Sequence, residues 1–228
     1  MISIIEHNIS IDFYFMRFSL LKNKYNALLR KLFIHPKMRN GLKNKGMTVI
    51  ASNCNGAFIL HDLAQPFNSP FVNLYLEPKD FIRYLQRIEH YQQQTLQFVT
   101  QSPYPIAYLD DVKIHFMHYA NAQQAQEKWQ QRSQRIDLKN LFIIMTDRDG
   151  CTEQDLNAFD ALPYPNKVVF THKPYPAIPS AFYIQGFEQR DCVGDLFAYS
   201  GWSGKRYYDQ FDYLAWFNQN KNEKRSSH

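Results

Sequence analysis

Apolar residues recur at three- and four-residue steps from Ser10 to Phe33: Ile11, Phe15, Phe18, Leu21, Tyr25, Leu28 and Leu32. The spacing predicts one amphipathic helix, with Arg17, Lys24 and Lys31 on another face. Its apolar stripe is expected to cover a sheet, the commoner fate of such a face; a basic amphipathic helix also suits an anionic lipid surface. Pro36 is expected to break the helix, leaving Lys37 to Lys45 as an exposed connector. A short apolar strand follows, Thr48 to Ala51, then a polar break, Ser52 to Gly56, and a helix from Ala57 to Leu63. The turn-rich piece Gln65 to Pro70 leads to an expected second strand, Phe71 to Leu76.

Pro78 fits the first position of the next helix, where its missing N–H costs nothing; Phe81, Tyr84, Leu85, Ile88 and Tyr91 mark its apolar face. A strand is expected over Val112 to Met117. Asn121 with Gln124 reads as a capping pair for a helix reaching about Ile136, its stripe formed by Ala122, Ala125, Trp129, Arg132 and Ile136. The run Leu141 to Met145 is almost wholly apolar, as befits a parallel strand buried on both faces. Thr152 and Asp155 announce another helix start. Lys167 to Phe170 reads as a buried strand, Phe182 to Ile184 as a further one, and Tyr207 to Asn218 as a closing helix. Pro174, Pro176 and Pro179 forbid a regular ladder between them. The alternation predicts an α/β fold in three layers, a mainly parallel sheet with helices on both faces, preceded by the amphipathic helix. The expected organisation is residues 1–45 as basic helix and connector, 46–218 as a single α/β domain, and 219–228 as a polar tail.

Composition changes this picture little. The 228 residues, 45% of them apolar, suffice for one well-filled core, and the 16% aromatic content is expected inside it. Three scattered cysteines, Cys54, Cys151 and Cys192, with no C-x-x-C pair, exclude a disulfide framework and argue against a structural zinc site. A reducing cytosol fits them. No secretory pattern is visible, and the apolar stretch Ile11 to Leu21 falls short of the roughly 20 residues that span a bilayer. The expectation is a cytoplasmic protein, soluble or peripheral to the inner face of the membrane. Charge adds more. Met1 to Lys45 carries nine Lys/Arg against two acids, a balance of +7, and the remainder 17 against 19, a balance of −2. Either a solvated basic face or an anionic partner, membrane or phosphorylated ligand, accounts for that asymmetry. The slightly acidic body speaks against nucleic acid.

Parallel strands would bring their carboxyl ends to one edge, where α/β ligands bind. Ser52, Asn53 and Cys54 end one strand; His118 and Tyr119, Asp147 and Asp149, and Thr171 and His172 end three others. Cys54 is a nucleophile candidate at a helix N-terminus or an inert buried thiol. His61, with Asp62, is a candidate acid or base or a structural hydrogen-bonding group. Gly56 suits close approach of backbone to an anionic ligand. Asp147-Arg148-Asp149 has the form of the metal-binding Asp-x-Asp of sugar-nucleotide transferases, with oxygen ligands suited to Mn²⁺ or Mg²⁺; Asp149-Gly150 is also an ordinary turn. Arg132 on an apolar stripe needs an anionic partner, an internal carboxylate or a ligand phosphate, and Arg135 lies on the same basic edge as Lys128.

These motifs together resemble a family. Asn53-Cys54-x-Gly56, His61-Asp62-Leu63, Phe67-x-Ser69-Pro70, Asn73-Leu74, Ile114-His115-Phe116-x-His118-Tyr119, Lys128-Trp129, Arg132, Arg135-Ile136 and Thr146-Asp147-Arg148-Asp149-Gly150-Cys151 look like the bacterial domain of unknown function numbered 1919. The resemblance runs from about Thr48 to Asn218. That family usually has a second glycine where this chain has Ala57. Its members are often labelled exopolysaccharide biosynthesis proteins, which implies a role in surface polysaccharide assembly. The resulting expectation is a transferase acting on a sugar nucleotide or lipid-linked sugar. Cys54, His61 and Asp62 would be catalytic. Asn53, Gly56, Ser69, His118, Arg132, Arg135 and Thr171 would bind substrate, and Asp147 and Asp149 would hold a divalent metal. The alternative is a non-catalytic accessory or binding protein of the same machinery.

Overall fold

The computed structural model describes residues 18–219; Ser10 to Arg17 of the expected first helix, and residues 220–228 of the tail, lie outside them. The fold is mixed α/β. Four strands, β1 (Thr48–Ala51), β5 (Leu141–Thr146), β6 (Lys167–Thr171) and β7 (Ala181–Tyr183), form a parallel sheet in the order β1-β5-β6-β7. Three more, β2 (Gln97–Phe98), β3 (Ile106–Leu109) and β4 (Val112–His115), form a small antiparallel sheet. The strand expected at Val112 therefore exists but pairs with β3 rather than with the parallel strands. A hairpin turn at Asp110 (φ 59°) joins them.

Alternation along the parallel strands divides the interior in two. Ile50, Ile143, Met145 and Val169 face a core with α3 (Pro78–Gln86), α4 (Ile88–Gln92), α5 (Ala122–Ser133) and α6 (Glu153–Asp160). Val49, Ala51, Phe142, Ile144, Val168 and Phe170 face a second core with α2 (Asn55–Asp62) and α7 (Tyr213–Phe217). A sheet buried on both faces explains the unbroken apolar runs. Local signals also hold: the Asn121 side chain accepts from the Gln124 amide at 2.9 Å, and Thr152 with Asp155 forms a capping box.

Phe71 to Leu76 is not a strand. Asn73 takes φ 61°, which breaks the extended run. The segment instead stitches the two sheets together. Tyr75 exchanges two backbone hydrogen bonds with His115, both 3.0 Å, and the Leu76 amide donates to Ser52 O at 2.9 Å. The expected long closing helix is a 3₁₀ turn, Tyr207–Gln210, followed by the short α7.

The N-terminal helix, α1, departs most from expectation. It is α-helical over residues 18–29, passes through a π-helical turn at Arg30–Ile34, and continues as His35–Gly41. Pro36 does not break it. The His35 amide bonds to Arg30 O, five residues back, and this wider turn accommodates a ring that would otherwise clash with the carbonyl four residues earlier. Nor does the apolar stripe cover the sheet. Asn26 and Arg30 are the fully buried side chains, while Phe18, Leu21, Tyr25, Leu28 and Leu32 are each about half exposed or more. The polar side wins because it finds complete partners. Asn26 donates to Gly201 O at 2.9 Å and accepts from the Gly204 amide at 2.8 Å. Gly204, at φ 72°, lies so close that a Cβ there would meet the Arg30 nitrogen at 3.1 Å.

Candidate functional site

A cleft of about 820 Å³ opens where β1 hands over to α2. Its position follows from Gly56. A Cβ on Gly56 would meet Ala51 Cβ at 2.6 Å and Val49 Cγ1 at 3.2 Å. The glycine is therefore needed for the helix to sit directly on β1, which fixes the helix N-terminus at the carboxyl edge of the sheet. The close approach expected of Gly56 is to the strand; Gly56 itself does not line the cleft.

Asn53 joins the ends of β1 and β5 at the floor. It donates to Thr146 Oγ1 at 2.8 Å and accepts from the Asn55 amide at 3.2 Å and the Asn55 side chain at 2.9 Å. Asn55 is 3% exposed, lines the cleft, and its Oδ1 has no hydrogen-bond partner among the described residues. An orphan acceptor in such a place is completed by a donor on a ligand or by water. Cys54 lines the cleft too. Burial pushes its thiol up, against the opposing pull of the Asn73 and Leu74 amides, so it stays a thiol at neutral pH. His61, one turn further along α2, stands largely exposed at the mouth.

The opposite wall comes from the end of β5 and from the C-terminal segment. Arg148 donates to Asp195 Oδ1 at 2.8 Å. Asp149, in the left-handed region at φ 59°, reaches solvent, yet the surrounding wall raises its carboxyl above the usual range, Arg148 opposing. Arg206 lies over the rings of Phe58, Tyr199 and Tyr208 and donates to Tyr208 Oη at 2.8 Å. Its buried Nε has no hydrogen-bond partner among the described residues. Phe58 and Phe197 stack at 4.3 Å. Tyr75, Met117 and His118 complete the rim; although β4 is antiparallel, the Tyr75–His115 pairing still brings His118 here.

Asn53, Cys54, His61, His118 and Asp149 thus come together, and the other expected site residues do not line the cleft. Asp62 is 2% exposed and lies behind Arg206. It accepts from Arg30 Nε at 2.9 Å and Nη2 at 2.6 Å, from Tyr208 Oη, and bonds to His35 at 3.0 Å. Desolvation raises its carboxyl, but Tyr208, Arg30 and Arg206 outweigh it and hold the group below its ordinary value. Ser69 donates to Val49 O at 2.5 Å, tying the turn to β1. Thr171 is buried and donates to Lys173 O. Arg132 donates to Tyr119 Oη at 3.0 Å and lies over Phe67, and among the described residues no carboxylate pairs with it. Arg135 is exposed and reaches Phe67 O at 3.5 Å.

Asp147 is likewise turned inward. One oxygen accepts from the Val193 amide at 2.8 Å; the other accepts from the His172 amide at 2.7 Å and meets His172 Nδ1 at 2.5 Å. With both oxygens engaged, Asp147 does not fit as one half of a metal-binding pair with Asp149. Among the described residues no three His, Cys, Asp or Glu side chains are grouped as metal ligands. Sequence reasoning missed Arg148, Asp195, Phe197 and Arg206. The last three arrive on an irregular segment with no periodicity to mark it, and only Arg148, inside the Asp-x-Asp run, carried a signal.

Residues 25–218 match the family described as Domain of unknown function (DUF1919). That match begins inside α1, earlier than the motif resemblance at Thr48. An uncharacterized protein of Haemophilus influenzae is 60% identical over 202 residues, covering 88% of this chain and 98% of its own length.

Proposed function

The chain belongs to the DUF1919 family, and we propose that its cleft performs group transfer on an activated sugar, a sugar nucleotide or lipid-linked sugar, in the assembly of a cell-surface polysaccharide at the cytoplasmic face of the membrane. The observation that carries this reading is the convergence of three chemistries in one cleft. The first turn of α2 and the guanidinium groups of Arg148 and Arg206 supply anion-binding donors suited to phosphate. The stacked Phe58–Phe197 pair offers an apolar face for a ring, and the orphan Asn55 Oδ1 awaits a hydroxyl donor. Asp149, His118 and His61 stand at the rim as groups able to take or give a proton.

In the proposed step an acceptor hydroxyl attacks the anomeric carbon. The new C–O bond forms as the bond to the phosphate oxygen breaks, and the phosphate leaves with that electron pair. Asp149 takes the hydroxyl proton. Arg206 and the α2 amides stabilise the departing charge, which is where preorganised donors contribute most. No step is routed through a divalent metal, because Asp147 is committed to the fold.

The test is ligand-induced stabilisation followed by turnover. A sugar nucleotide or lipid diphosphate sugar at ~100-fold over its dissociation constant adds roughly 2.7 kcal/mol. The panel is run with and without Mn²⁺ or Mg²⁺. Asp149→Asn is expected to keep binding and lower kcat by about 10²-fold or more. Absence of stabilisation across the panel refutes the reading. Binding without turnover supports the second one, a non-catalytic accessory protein, which the pairing of Arg148 with Asp195 favours.

A further inference from the structure

The outer face of α1 presents an apolar stripe at the surface. Phe18, Leu21, Tyr25, Leu28 and Leu32 follow one another at helical spacing and are 49–65% exposed. Trp202, itself 49% exposed, extends the stripe from another part of the chain, its ring 5.5 Å from Phe18 and 6.0 Å from Tyr25. A surface helix ordinarily turns such a stripe inward. Here the buried bonds of Asn26 and Arg30 lock the opposite side against the body. The helix cannot roll to hide its apolar residues without exposing an ion cluster that those bonds satisfy.

Charge identifies the occupant. From Phe18 to Lys45 the chain has eight Lys/Arg and no acid. Arg30 is neutralised inside by Asp62 and Asp209, and Lys22, Lys24, Lys31, Lys37, Arg39, Lys43 and Lys45 remain. Lys22 lies over the Trp202 ring at 5.8 Å. A second copy set against this face would bring lysines to lysines with no carboxylate from the same segment to answer them. An anionic bilayer answers both features: the apolar stripe enters the headgroup–acyl boundary, Tyr25 and Trp202 sit at the interface, and the lysines meet acidic headgroups. We infer that the outward face of α1, with Trp202, is an interfacial docking surface for anionic lipid. This surface is independent of the reaction in the cleft.

The test uses the full chain with vesicles of phosphatidylcholine alone or mixed with phosphatidylglycerol, read by flotation. Mixed vesicles are expected to bind at least tenfold more tightly, less so as salt rises. Leu28→Glu is expected to abolish binding with an unchanged urea midpoint, since Leu28 is a surface residue. The triple change Lys22→Glu, Lys24→Glu and Lys31→Glu is expected to weaken it on the order of a hundredfold or more, about fivefold per lysine lost. Trp202 emission, assigned by Trp202→Phe, is expected to shift to the blue on the mixed vesicles. Failure to bind mixed vesicles overturns the inference. So does a dimer in light scattering that Leu28→Glu converts to monomer, because the occupant is then a second copy.

Discussion

Replacing Arg30 by methionine removes the centre of the ion cluster that fastens α1 to the body. Its guanidinium donates to Asp62 twice, at 2.9 and 2.6 Å, to Asp209 at 2.5 and 3.0 Å, and to Gly204 O at 3.0 Å. Burial works against its charge, and Asp209, Tyr208 and Asp62 overcome that cost. Removing one partner of a buried pair typically costs ~3–5 kcal/mol. The lower end applies here. Asp62 keeps His35 and Arg206, and Asp209 keeps the Arg206 amide and Tyr213 Oη. A loss of about 3 kcal/mol is a large part of the 5–15 kcal/mol by which domains are stable. With an m-value of ~2–3 kcal/mol/M it lowers the urea midpoint by roughly 1 M or slightly more. Hydrogen exchange at residues 26–41 is expected to rise in parallel. The double variant Arg30→Met with Asp62→Leu should lose less than the sum of the singles, since removing both charges removes the stranded one. A loss below about 1 kcal/mol for Arg30→Met, or simple additivity in the double variant, refutes the clamp.

Gly56→Val forces a Cβ into Ala51 at 2.6 Å and is expected to cost ~1–3 kcal/mol of overpacking; thermal unfolding measures it. Asp147→Ala strands the buried Val193 amide and the His172 amide at ~1–3 kcal/mol each, so its effect is read as a lowered urea midpoint. His35 titrates below its ordinary value of 6.5 because burial, helped by Arg30 and Arg39, outweighs the attraction of Asp62. The folded state therefore binds this proton less readily than the unfolded chain. Stability is full above pH 6.5 and declines as pH falls below it toward the folded value, and His35→Gln should flatten urea midpoints measured between pH 7 and 5. Cys54, with its thiol pushed up, should react with iodoacetamide at pH 7 more slowly than a cysteine in a short peptide; equal rates refute its burial.

What the chain discloses about itself depends on how local the deciding interaction is. The parallel strands were legible because burial on both faces leaves an apolar run such as Leu141 to Met145 with no polar interruption. The Asn121 and Thr152 caps were legible because a cap and its partner lie three residues apart. The segment Phe71 to Leu76 read as a strand by composition, but its fate was decided at Asn73, whose left-handed turn serves a pairing with His115 forty residues on. The candidate site divided along the same line. Asn53 and Cys54 after β1 and Asp149 after β5 are legible because they follow strand ends. Arg206, Asp195 and Phe197 were not, because only tertiary packing brings them to the cleft.

The helix α1 shows the stronger form of this limit. Periodicity identifies a stripe but carries no sign saying which side faces inward. The sign is set by what the opposite side can bond to. For α1 that is Asp62, Gly201, Gly204 and Asp209, all contributed from outside the helix. A guanidinium satisfied by two carboxylates and a carbonyl outweighs a stripe of leucines whose exposure costs roughly 25 cal/mol per Å², because breaking the cluster would leave several charges uncompensated at once. The pair His61-Asp62 is the compact illustration. In the sequence the two neighbours read as one acid–base unit, yet the helical turn sends His61 to the mouth of the cleft and Asp62 into the cluster behind it.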